Sequence, residues 1–381
     1  MGANYTCGSN THSRWMAYHY PFHIHEENAG SQVHLTQMYK AFQRNDFEVT
    51  LISGKTNDRR QAIQRICAEV HTGRQLHFLY AWSPTVPSLS SQNIRQPFLD
   101  FAFFRWCKRQ GITIGLFYGD VHWRFPQYKN QPQLKRYVKL PLYWFDWLNY
   151  RHWVDCLFLP SLAMHSALPT SWPFKYTRAL YPGCNIAQVP KHPEPSASPL
   201  RLFYVGGITP PLYDLQPTFE ALKTVTGIHL TLCCRAEEWH KMHSYYEALP
   251  TSKIQVIHEY GAQLESHYAT ADIACMFWKM NPYMKFAMPV KLFEALGHGL
   301  PVIATTGSEM GDFIQQENIG WTVSSTEEFC DLLSYLRMHP EALAEKRMRA
   351  ERVRHQHTWD IRAQQVAQIL EQWRAPTNIS R

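Results

Sequence analysis

The sequence predicts an α/β protein with two Rossmann-like domains. A length of 381 residues exceeds one comfortable hydrophobic core, so two domains are expected. Residues 15–22, 32–44 and 47–53 read as a strand, an amphipathic helix and a strand, which together form one βαβ unit. The proline- and serine-rich residues 191–199 read as a linker between the domains. We therefore assign residues 1–190 to an N-terminal domain, 200–360 to a C-terminal domain and 361–381 to a terminal helix.

The composition is that of a packed globular protein. Hydrophobic residues make up 45% and aromatic residues 14%, while a charged fraction of 18% argues against disorder. No run approaches the roughly 18 apolar residues of a membrane span, and the first residues lack the apolar core of a signal peptide. A cytoplasmic location is expected. The nine cysteines form no C-x-x-C pair, which predicts reduced thiols rather than disulfides or structural zinc.

The positive charge is concentrated in the first half of the chain. Residues 1–190 contain 20 Lys and Arg against 10 Asp and Glu, whereas residues 191–381 contain 18 against 21. A basic first half predicts an anionic partner such as a membrane surface, an acidic glycan or a lipid pyrophosphate. Nucleic acid is the less favoured partner, because no zinc-finger or RRM signature accompanies the charge.

The segment 128–153 combines basic and large aromatic residues. Lys129, Lys135, Arg136 and Lys139 precede a cluster of Tyr, Trp and Phe residues. Such a mixture is typical of segments that lie in a membrane interface, so we interpret it as a surface that docks on anionic lipid. A core helix with a solvated basic end is the alternative, because Pro141 interrupts the periodicity.

The stretch 283–306 carries the main functional signal. Pro289 occupies a predicted first helical position, and the preceding Met288 offers no side-chain cap for the first backbone N–H groups. Uncapped donors, the helix dipole and Lys291 in the first turn predict a site for a bound diphosphate. Glu294 shares a face with Lys291 and would suit neighbouring hydroxyl groups. The alternative is an ordinary solvated ion pair on a helix.

The phrase P-x-K-x-x-E-x-x-x-x-G-x-P-V-I-A, which begins at Pro289, resembles the donor-binding signature of GT-B glycosyltransferases of the bacterial surface-polysaccharide type. The resemblance implies two Rossmann-like domains that face a central cleft, with the terminal helix crossing back onto the first domain. It also implies a UDP- or GDP-sugar donor whose ribose contacts Glu294. Retaining members carry a further glutamate where this chain has Phe286, and xanthan-type glucuronosyltransferases share the lysine, so the resemblance indicates donor class rather than stereochemistry.

Other candidate donor-binding residues follow predicted strands of the second domain. Gly206 and Gly207 follow the strand 200–205, where the absence of side chains lets backbone N–H groups approach a phosphate. Arg235 follows the strand 228–234 and is suited to clamping a diphosphate, and Tyr260 follows the strand 254–257 near the position where relatives receive the base. For the glycines, an ordinary tight turn is the alternative.

A candidate catalytic group follows the strand 113–118. If the chain stays extended there, Asp120, His122 and Arg124 point to one side, at the strand end where open α/β sheets bind ligands. Asp120, with His122 beside it, is the candidate base for the acceptor hydroxyl. A buried Asp–Arg pair that holds the loop is the alternative.

Neither a metal nor another cofactor is expected. His23 and His25 lie beside Glu26 and Glu27, yet a polar cleft loop is favoured over a metal site because a third well-placed ligand is missing. The resemblance thus implies a hexosyltransferase that acts on a glycan or lipid-linked acceptor in cell-surface polysaccharide synthesis, and the basic first half of the chain predicts a position on the inner face of the membrane. A nucleotide-sugar epimerase of the same fold and a non-catalytic glycan-binding relative are the alternatives.

Overall fold

The computed structural model describes residues 14–24, 30–84, 86–89, 96–125, 133–169, 174–187, 199–246 and 251–373. It contains two six-stranded sheets in which every neighbouring pair of strands is parallel. Helices connect the successive strands. The predicted α/β class with two Rossmann-like domains is confirmed.

The first sheet has the strand order β2-β1-β3-β4-β5-β6. Its central strands are buried on both faces, and β1 shows why: Trp15 and Ala17 pack on one side of the sheet, while Met16 and Tyr18 pack on the other. The strands are β1 (Arg14–His19), β2 (Phe47–Ile52), β3 (Phe78–Trp82), β4 (Thr113–Phe117), β5 (Cys156–Leu159) and β6 (Tyr176–Ala179), and the helices are α1 (Gly30–Arg44), α2 (Thr56–His71), α3 (Leu99–Arg109) and α4 (Gln133–Trp153).

The second sheet has the order β12-β11-β10-β7-β8-β9 around its own hydrophobic core. Its strands are β7 (Leu200–Val205), β8 (Ile228–Cys233), β9 (Ile254–Ile257), β10 (Ile273–Met276), β11 (Val302–Thr305) and β12 (Gly320–Val323). The helices are α5 (Gln216–Thr224), α6 (Ala236–Met242), α7 (Glu265–Thr270), α8 (Val290–Gly297), α9 (Glu309–Glu317), α10 (Thr326–Met338), α11 (Pro340–Val353) and α12 (Trp359–Gln372).

The terminal helix α12 crosses back onto the first domain, as predicted. Trp359 and Leu370 belong to the hydrophobic cluster beneath the first sheet. A side chain at Gly115 in β4 would come within 2.8 Å of Leu370, so the helix lies directly on that strand. Arg44 at the end of α1 pairs with Asp360 at 2.6 Å. The last helix therefore fastens the C-terminal half of the chain to the N-terminal sheet.

Several element boundaries differ from those predicted. The first strand, predicted at 15–22, spans Arg14–His19, and the terminal helix begins at Trp359 rather than at residue 361. Strand β6 follows β5 at the edge of the first sheet. Pro141 does not interrupt α4, which continues through it. The domain boundaries at 190 and 199 fall within or beside residues 188–198, which lie outside the described residues, and remain a prediction.

A buried charge cluster connects β1, α2 and α3. The Arg59 guanidinium, which is fully buried, donates to both carboxylate oxygens of Asp100 at 2.9 and 3.0 Å, and His19 Nε2 lies 2.9 Å from the same carboxylate. Burial alone would raise the pKa of Asp100, but the hydrogen bonds and charges of His19 and Arg59 outweigh it and lower the pKa to about 2.

Replacement of Arg59 by leucine is expected to lower the free energy of unfolding by about 3–5 kcal/mol, because the Asp100 carboxylate then stays buried without its main partner. The control Arg65→Leu alters an exposed arginine of the same helix and should change little. Because the folded-state pKa of Asp100 is depressed, its contribution is present above about pH 4 and is lost as the pH falls toward 2. Urea unfolding at pH 7 and pH 3 measures both effects. An equal loss of unfolding free energy in Arg59→Leu and Arg65→Leu would contradict a stabilising Arg59–Asp100 pair.

Candidate active site

Helix α8 begins with an uncapped N-terminus at the carboxyl edge of the second sheet. Pro289 is its N-cap residue, with an extended backbone at φ −75° and ψ 141°, and no side chain caps the first turn. The uncapped start is confirmed, with Pro289 as the N-cap residue rather than the first helical residue. At the other end only glycine fits at position 297, because a Cβ atom there would lie 2.2 Å from the backbone oxygen of Asn185. The free N–H groups and the positive end of the dipole make this terminus suited to an anion.

Lys291 and Glu294 form a partly buried pair on the first turns of α8. Lys291 Nζ lies 2.8 Å from Glu294 Oε2, and the hydroxyl of Tyr268 donates to the same oxygen at 3.1 Å. Burial and the Glu294 charge raise the pKa of Tyr268 well above its ordinary value, so this hydroxyl remains a donor. Only about a quarter of either charged side chain is exposed, 29% for Lys291 and 26% for Glu294. The pair is therefore held in place by a third residue, unlike a freely solvated ion pair.

The end of β8 lies beside this pair. Burial raises the pKa of Cys233 at the end of β8, while the positive charge of Lys291 opposes that rise, which places the lysine near this strand end. The next residue but one, Arg235, is the N-cap residue of α6 and its side chain is 79% exposed. Two cationic groups therefore stand at the carboxyl edge of the second sheet, Lys291 on the helix that follows β10 and Arg235 after β8.

The Gly206-Gly207 turn packs closely against tyrosine side chains. A Cβ atom would lie 2.9 Å from the Tyr204 hydroxyl at Gly206, and 2.7 Å from the ring of Tyr213 at Gly207. The Tyr204 hydroxyl also donates to the carbonyl oxygen of Gly207. Glycine is thus required here by packing, whatever ligand the turn receives.

Glu238 accepts the hydrogen bonds next to this turn. Its Oε1 accepts from the Ile208 N–H at 2.8 Å and from the Thr209 hydroxyl at 2.6 Å. Its Oε2 accepts from the Arg235 guanidinium at 3.2 and 3.3 Å. A protein carboxylate therefore occupies the donors that follow Gly207, so an incoming phosphate competes with Glu238 for Arg235 and for the Ile208 amide.

Tyr260 and His258 stand at the end of β9, next to the end of β8. The Tyr260 side chain is 59% exposed, and its N–H donates to Gln263 Oε1 at 3.3 Å. His258 Nδ1 lies 2.8 Å from the backbone oxygen of Cys234, which fixes the imidazole against the neighbouring strand. An exposed aromatic ring after this strand end is suited to stacking on a flat heteroaromatic group.

Asp120 and His122 contact each other, but not through an extended chain. Residues His122–Arg124 form a short 3₁₀ turn, so the expectation of an extended segment was wrong. The turn arises because Asp120 Oδ1 accepts the His122 N–H at 2.7 Å, and His122 Nδ1 lies 3.1 Å from Oδ2. Arg124 is directed elsewhere and donates to the backbone oxygens of Ala167 and Leu168. The alternative of an Asp–Arg pair is thereby excluded.

Tyr283 of the second domain completes the surroundings of Asp120. Its hydroxyl donates to Asp120 Oδ1 at 2.9 Å across the domain interface. Burial alone would raise the pKa of Asp120, but the hydrogen bonds from His122 and Tyr283 and the charge of His122 lower it below the ordinary value. Burial, followed by the nearby Asp120 charge, raises the pKa of Tyr283 well above its ordinary value. Asp120 is thus a carboxylate with fixed orientation.

Phe286 packs into the first domain instead of lining the donor site. It is 6% exposed, and its ring lies 5.6 Å from that of Phe125 and 5.1 Å from that of Tyr283. The Ser161 hydroxyl donates to the Phe286 carbonyl at 2.7 Å. The loop before α8 therefore joins the two domains through an aromatic cluster formed by Phe125, Tyr283 and Phe286.

Tyr213 lies between the two groups of candidate residues. Burial, the charge of Asp120 and the charge of Glu238 together raise the pKa of Tyr213 to about 12. Its ring also meets Gly207 closely. The structure thereby brings Asp120 of the first domain near the glycine turn of the second.

Replacement of Tyr283 by phenylalanine is expected to raise the pKa of Asp120, because a hydrogen bond that lowers it is removed. The free energy of unfolding should fall by about 1 kcal/mol. Carboxyl-carbon NMR titration of Asp120 and urea unfolding provide the two measurements. The control Tyr335→Phe alters an exposed tyrosine of α10. An unchanged Asp120 titration would contradict the interdomain hydrogen bond.

Some sequence predictions fall on residues that the structure leaves undescribed. His25, Glu26 and Glu27 lie outside the described residues, as do Lys129 and the side chains of Lys135 and Arg136. In the described part of the chain, no group of three or more His, Cys, Asp or Glu side chains could hold a metal ion. The structure contains no described helix that is long and apolar enough to span a bilayer.

Comparison with known proteins assigns this architecture. Residues 216–368 match the family model described as glycosyl transferase-like, whereas no curated protein matches the chain. The chain is similar in structure to a sucrose-phosphate synthase from Thermosynechococcus elongatus, with 14% identity, a TM-score of 0.61 and coverage of 94% of this chain and 98% of that one. This chain has the GT-B fold. Similar structures include HepE from Anabaena in complex with UDP-glucose, with 12% identity, a TM-score of 0.62 and 94% and 99% coverage. WaaG, a glycosyltransferase involved in lipopolysaccharide biosynthesis, has 14% identity, a TM-score of 0.56 and 93% and 99% coverage.

The family model covers one side of the candidate site. Arg235, Tyr260, Lys291 and Glu294 lie inside the matched residues, whereas Asp120 and the glycine turn lie outside them. Sequence reasoning did not find the partners Tyr268, Glu238 and Tyr283. Tyr268 and Glu238 belong to no recognisable motif. Tyr283 is the first residue of the stretch 283–306, and the need of its hydroxyl for a hydrogen-bond partner was the available signal.

Proposed function

We propose that this protein is a glycosyltransferase that transfers a hexose from a UDP- or GDP-sugar to a glycan or lipid-linked acceptor in cell-surface polysaccharide synthesis. The observation that carries the proposal is the uncapped start of α8 with the Lys291–Glu294–Tyr268 group beside it, together with the Asp120–His122 pair, which Tyr283 of the second domain contacts. An anion site and a fixed carboxylate are what sugar transfer from a diphosphate donor requires.

The donor would lie with its diphosphate at the N-terminus of α8. Lys291 and the helix dipole would offset the charge that builds on the leaving diphosphate, and Glu294 would accept hydrogen bonds from the ribose. Arg235 would exchange its bond to Glu238 for a phosphate oxygen, while Tyr260 would stack against the base. Because these protein charges serve the diphosphate, the reaction should need no metal, and EDTA should leave its rate unchanged.

The acceptor hydroxyl would lie at Asp120. As the new glycosidic bond forms, Asp120 takes the hydroxyl proton and the bond between the sugar and the diphosphate breaks. A single displacement of this kind inverts the anomeric centre. HepE has been seen with UDP-glucose and WaaG is involved in lipopolysaccharide biosynthesis, which supports a nucleotide-sugar donor and a surface-glycan role here by analogy.

The basic residues of α4 would place the enzyme on the inner face of the cell membrane. We expect that the triple replacement of Lys135, Arg136 and Lys139 by glutamine lowers co-sedimentation with vesicles containing anionic lipid, because each such charge contributes about 1 kcal/mol near the surface. Replacement of Lys223, Lys241 and Arg337 of the second domain by glutamine is the control, because it removes the same number of positive charges. Equal binding by both triple variants would remove the α4 docking surface.

A thermal-shift screen of nucleotide-diphosphate sugars tests the function directly. A donor at 100 times its dissociation constant should stabilise the native state by about 2.7 kcal/mol. The stabilising donor is then assayed with and without a lipid-linked acceptor. Transfer to the acceptor supports the proposal, turnover without acceptor supports an epimerase, and binding without turnover supports a glycan-binding relative. Failure of every donor to bind contradicts both the transferase and the epimerase.

A further inference from the structure

A cavity of about 620 Å³ lies between the two domains. One wall comes from the end of the first sheet and the short helix that follows β5, and the other comes from the loop before α8. Its volume lies within the range of ordinary ligand pockets, about 300–1,000 Å³. The cavity is lined by Phe125, Leu162, Ala163, His165, Ser166, Ala167, Pro282, Lys285 and Phe286.

The cavity combines apolar walls with positive charge. Phenyl and aliphatic groups form most of its lining, and Leu162 at its edge is 55% exposed. Lys285 and His165 are the ionisable groups of the lining, which contains no Asp or Glu. Lys285 is exposed and has no carboxylate partner among the residues that the structure describes. This pattern suits an apolar chain that ends in an anionic group.

The cavity adjoins the candidate catalytic carboxylate. Two of its walls, Phe125 and Phe286, belong to the aromatic cluster whose third member, Tyr283, donates to Asp120. The rings of Phe125 and Phe286 lie 5.8 and 5.1 Å from that of Tyr283, so the cavity and Asp120 contact the same aromatic cluster. This proximity favours an acceptor over a remote regulator as the occupant.

We propose that this cavity binds the apolar chain of a lipid-phosphate acceptor, with the phosphate at Lys285. The inference rests on the proposed function and names the acceptor class for the same active site. The chain replaces water along the walls formed by Phe125, Ala163 and Phe286. The sugar or hydroxyl attached to the phosphate extends past the aromatic cluster toward Asp120.

The chain length of a simple probe tests the inference. Calorimetry with octyl, decyl and dodecyl phosphate, below their micelle concentrations, should show tighter binding on the order of tenfold for each two-carbon step. Inorganic phosphate and 1-octanol should each bind at least tenfold more weakly than octyl phosphate. Affinity independent of chain length, or equal affinity for octanol and octyl phosphate, would overturn the assignment.

Variants locate the probe. Ala163→Trp fills the cavity and should lower the affinity for decyl phosphate at least tenfold. Ala344→Trp, at an exposed alanine of α11, should leave that affinity unchanged. Lys285→Ala should lower the affinity for decyl phosphate about tenfold because a charge-assisted hydrogen bond is lost, while Lys241→Ala on α6 should not change it. Unaltered binding in Ala163→Trp overturns the proposal, provided that the variant keeps the wild-type melting temperature.

The same preparations separate this inference from the donor assignment. UDP binding should persist in Ala163→Trp and be lost in Lys291→Ala. Binding of decyl phosphate should be lost in Ala163→Trp and persist in Lys291→Ala. Loss of UDP binding from all proteins with retained decyl phosphate binding would reject the donor site alone. Retained UDP binding with no chain-length dependence would reject the cavity alone.

Discussion

Replacement of Lys291 by alanine is expected to lower kcat/KM for sugar transfer by about 10²–10³, which is the effect of removing one preorganised group that stabilises developing charge. The lysine is 29% exposed and its Nζ is held 2.8 Å from Glu294, so its position is fixed before a donor arrives. Its charge adds to the uncapped N–H groups of α8. In the variant, water replaces the ammonium group and must reorient as charge develops on the diphosphate, which costs free energy in the transition state.

The fold of the Lys291→Ala variant should remain intact, because the side chain lies outside the hydrophobic core and Glu294 keeps the Tyr268 hydrogen bond. Initial rates over a donor titration and calorimetric UDP affinity provide the measurement. Lys223→Ala, an exposed lysine of α5, is the matched control. Activity within threefold of wild type would remove Lys291 from the donor site.

The fold was predictable where local chemistry sets the boundaries of an element. Helix α8 ends where Gly299, just after its C-cap residue, adopts a left-handed backbone with φ 68°, and Pro289 disfavours a helical conformation of the residue before it. The edge strand β6 was missed because its sequence, YTRA, is half polar and its side chains are only partly buried. An edge strand of this kind lacks the apolar run that reveals a central strand.

The candidate site was predictable where its members lie close together in the sequence. Lys291 and Glu294 are one turn apart, so their shared face follows from helix geometry. Asp120 and His122 were expected to meet, yet they do so through a turn rather than an extended strand. Tyr283 lies 163 residues from Asp120, and that contact depends on how the two domains pack. No local pattern encodes such a distance.

Replacement of Asp120 by asparagine is expected to lower kcat for transfer by about 10²–10⁴, the usual contribution of a general base. Asparagine keeps an oxygen for the Tyr283 hydroxyl and the His122 N–H, so the local geometry should persist. The donor affinity should stay unchanged, since Asp120 faces the acceptor. A fall in kcat with constant UDP affinity therefore separates proton removal from binding, and Asp331→Asn on α10 serves as an exposed control.

The pH dependence gives the sharper test of Asp120. Its folded-state pKa lies below the ordinary value, because His122 and Tyr283 stabilise the charged form. The carboxylate is therefore present throughout the range above about pH 4, and its contributions to stability and to rate are lost only as the pH falls through the lowered pKa. The transfer rate of the wild type should therefore fall at acidic pH. The much lower rate of Asp120→Asn should not show this fall. An acceptor thiol, which loses its proton near pH 8–9, should restore part of the Asp120→Asn activity at high pH. Equal loss with thiol and hydroxyl acceptors would show that Asp120 positions the acceptor instead of removing its proton.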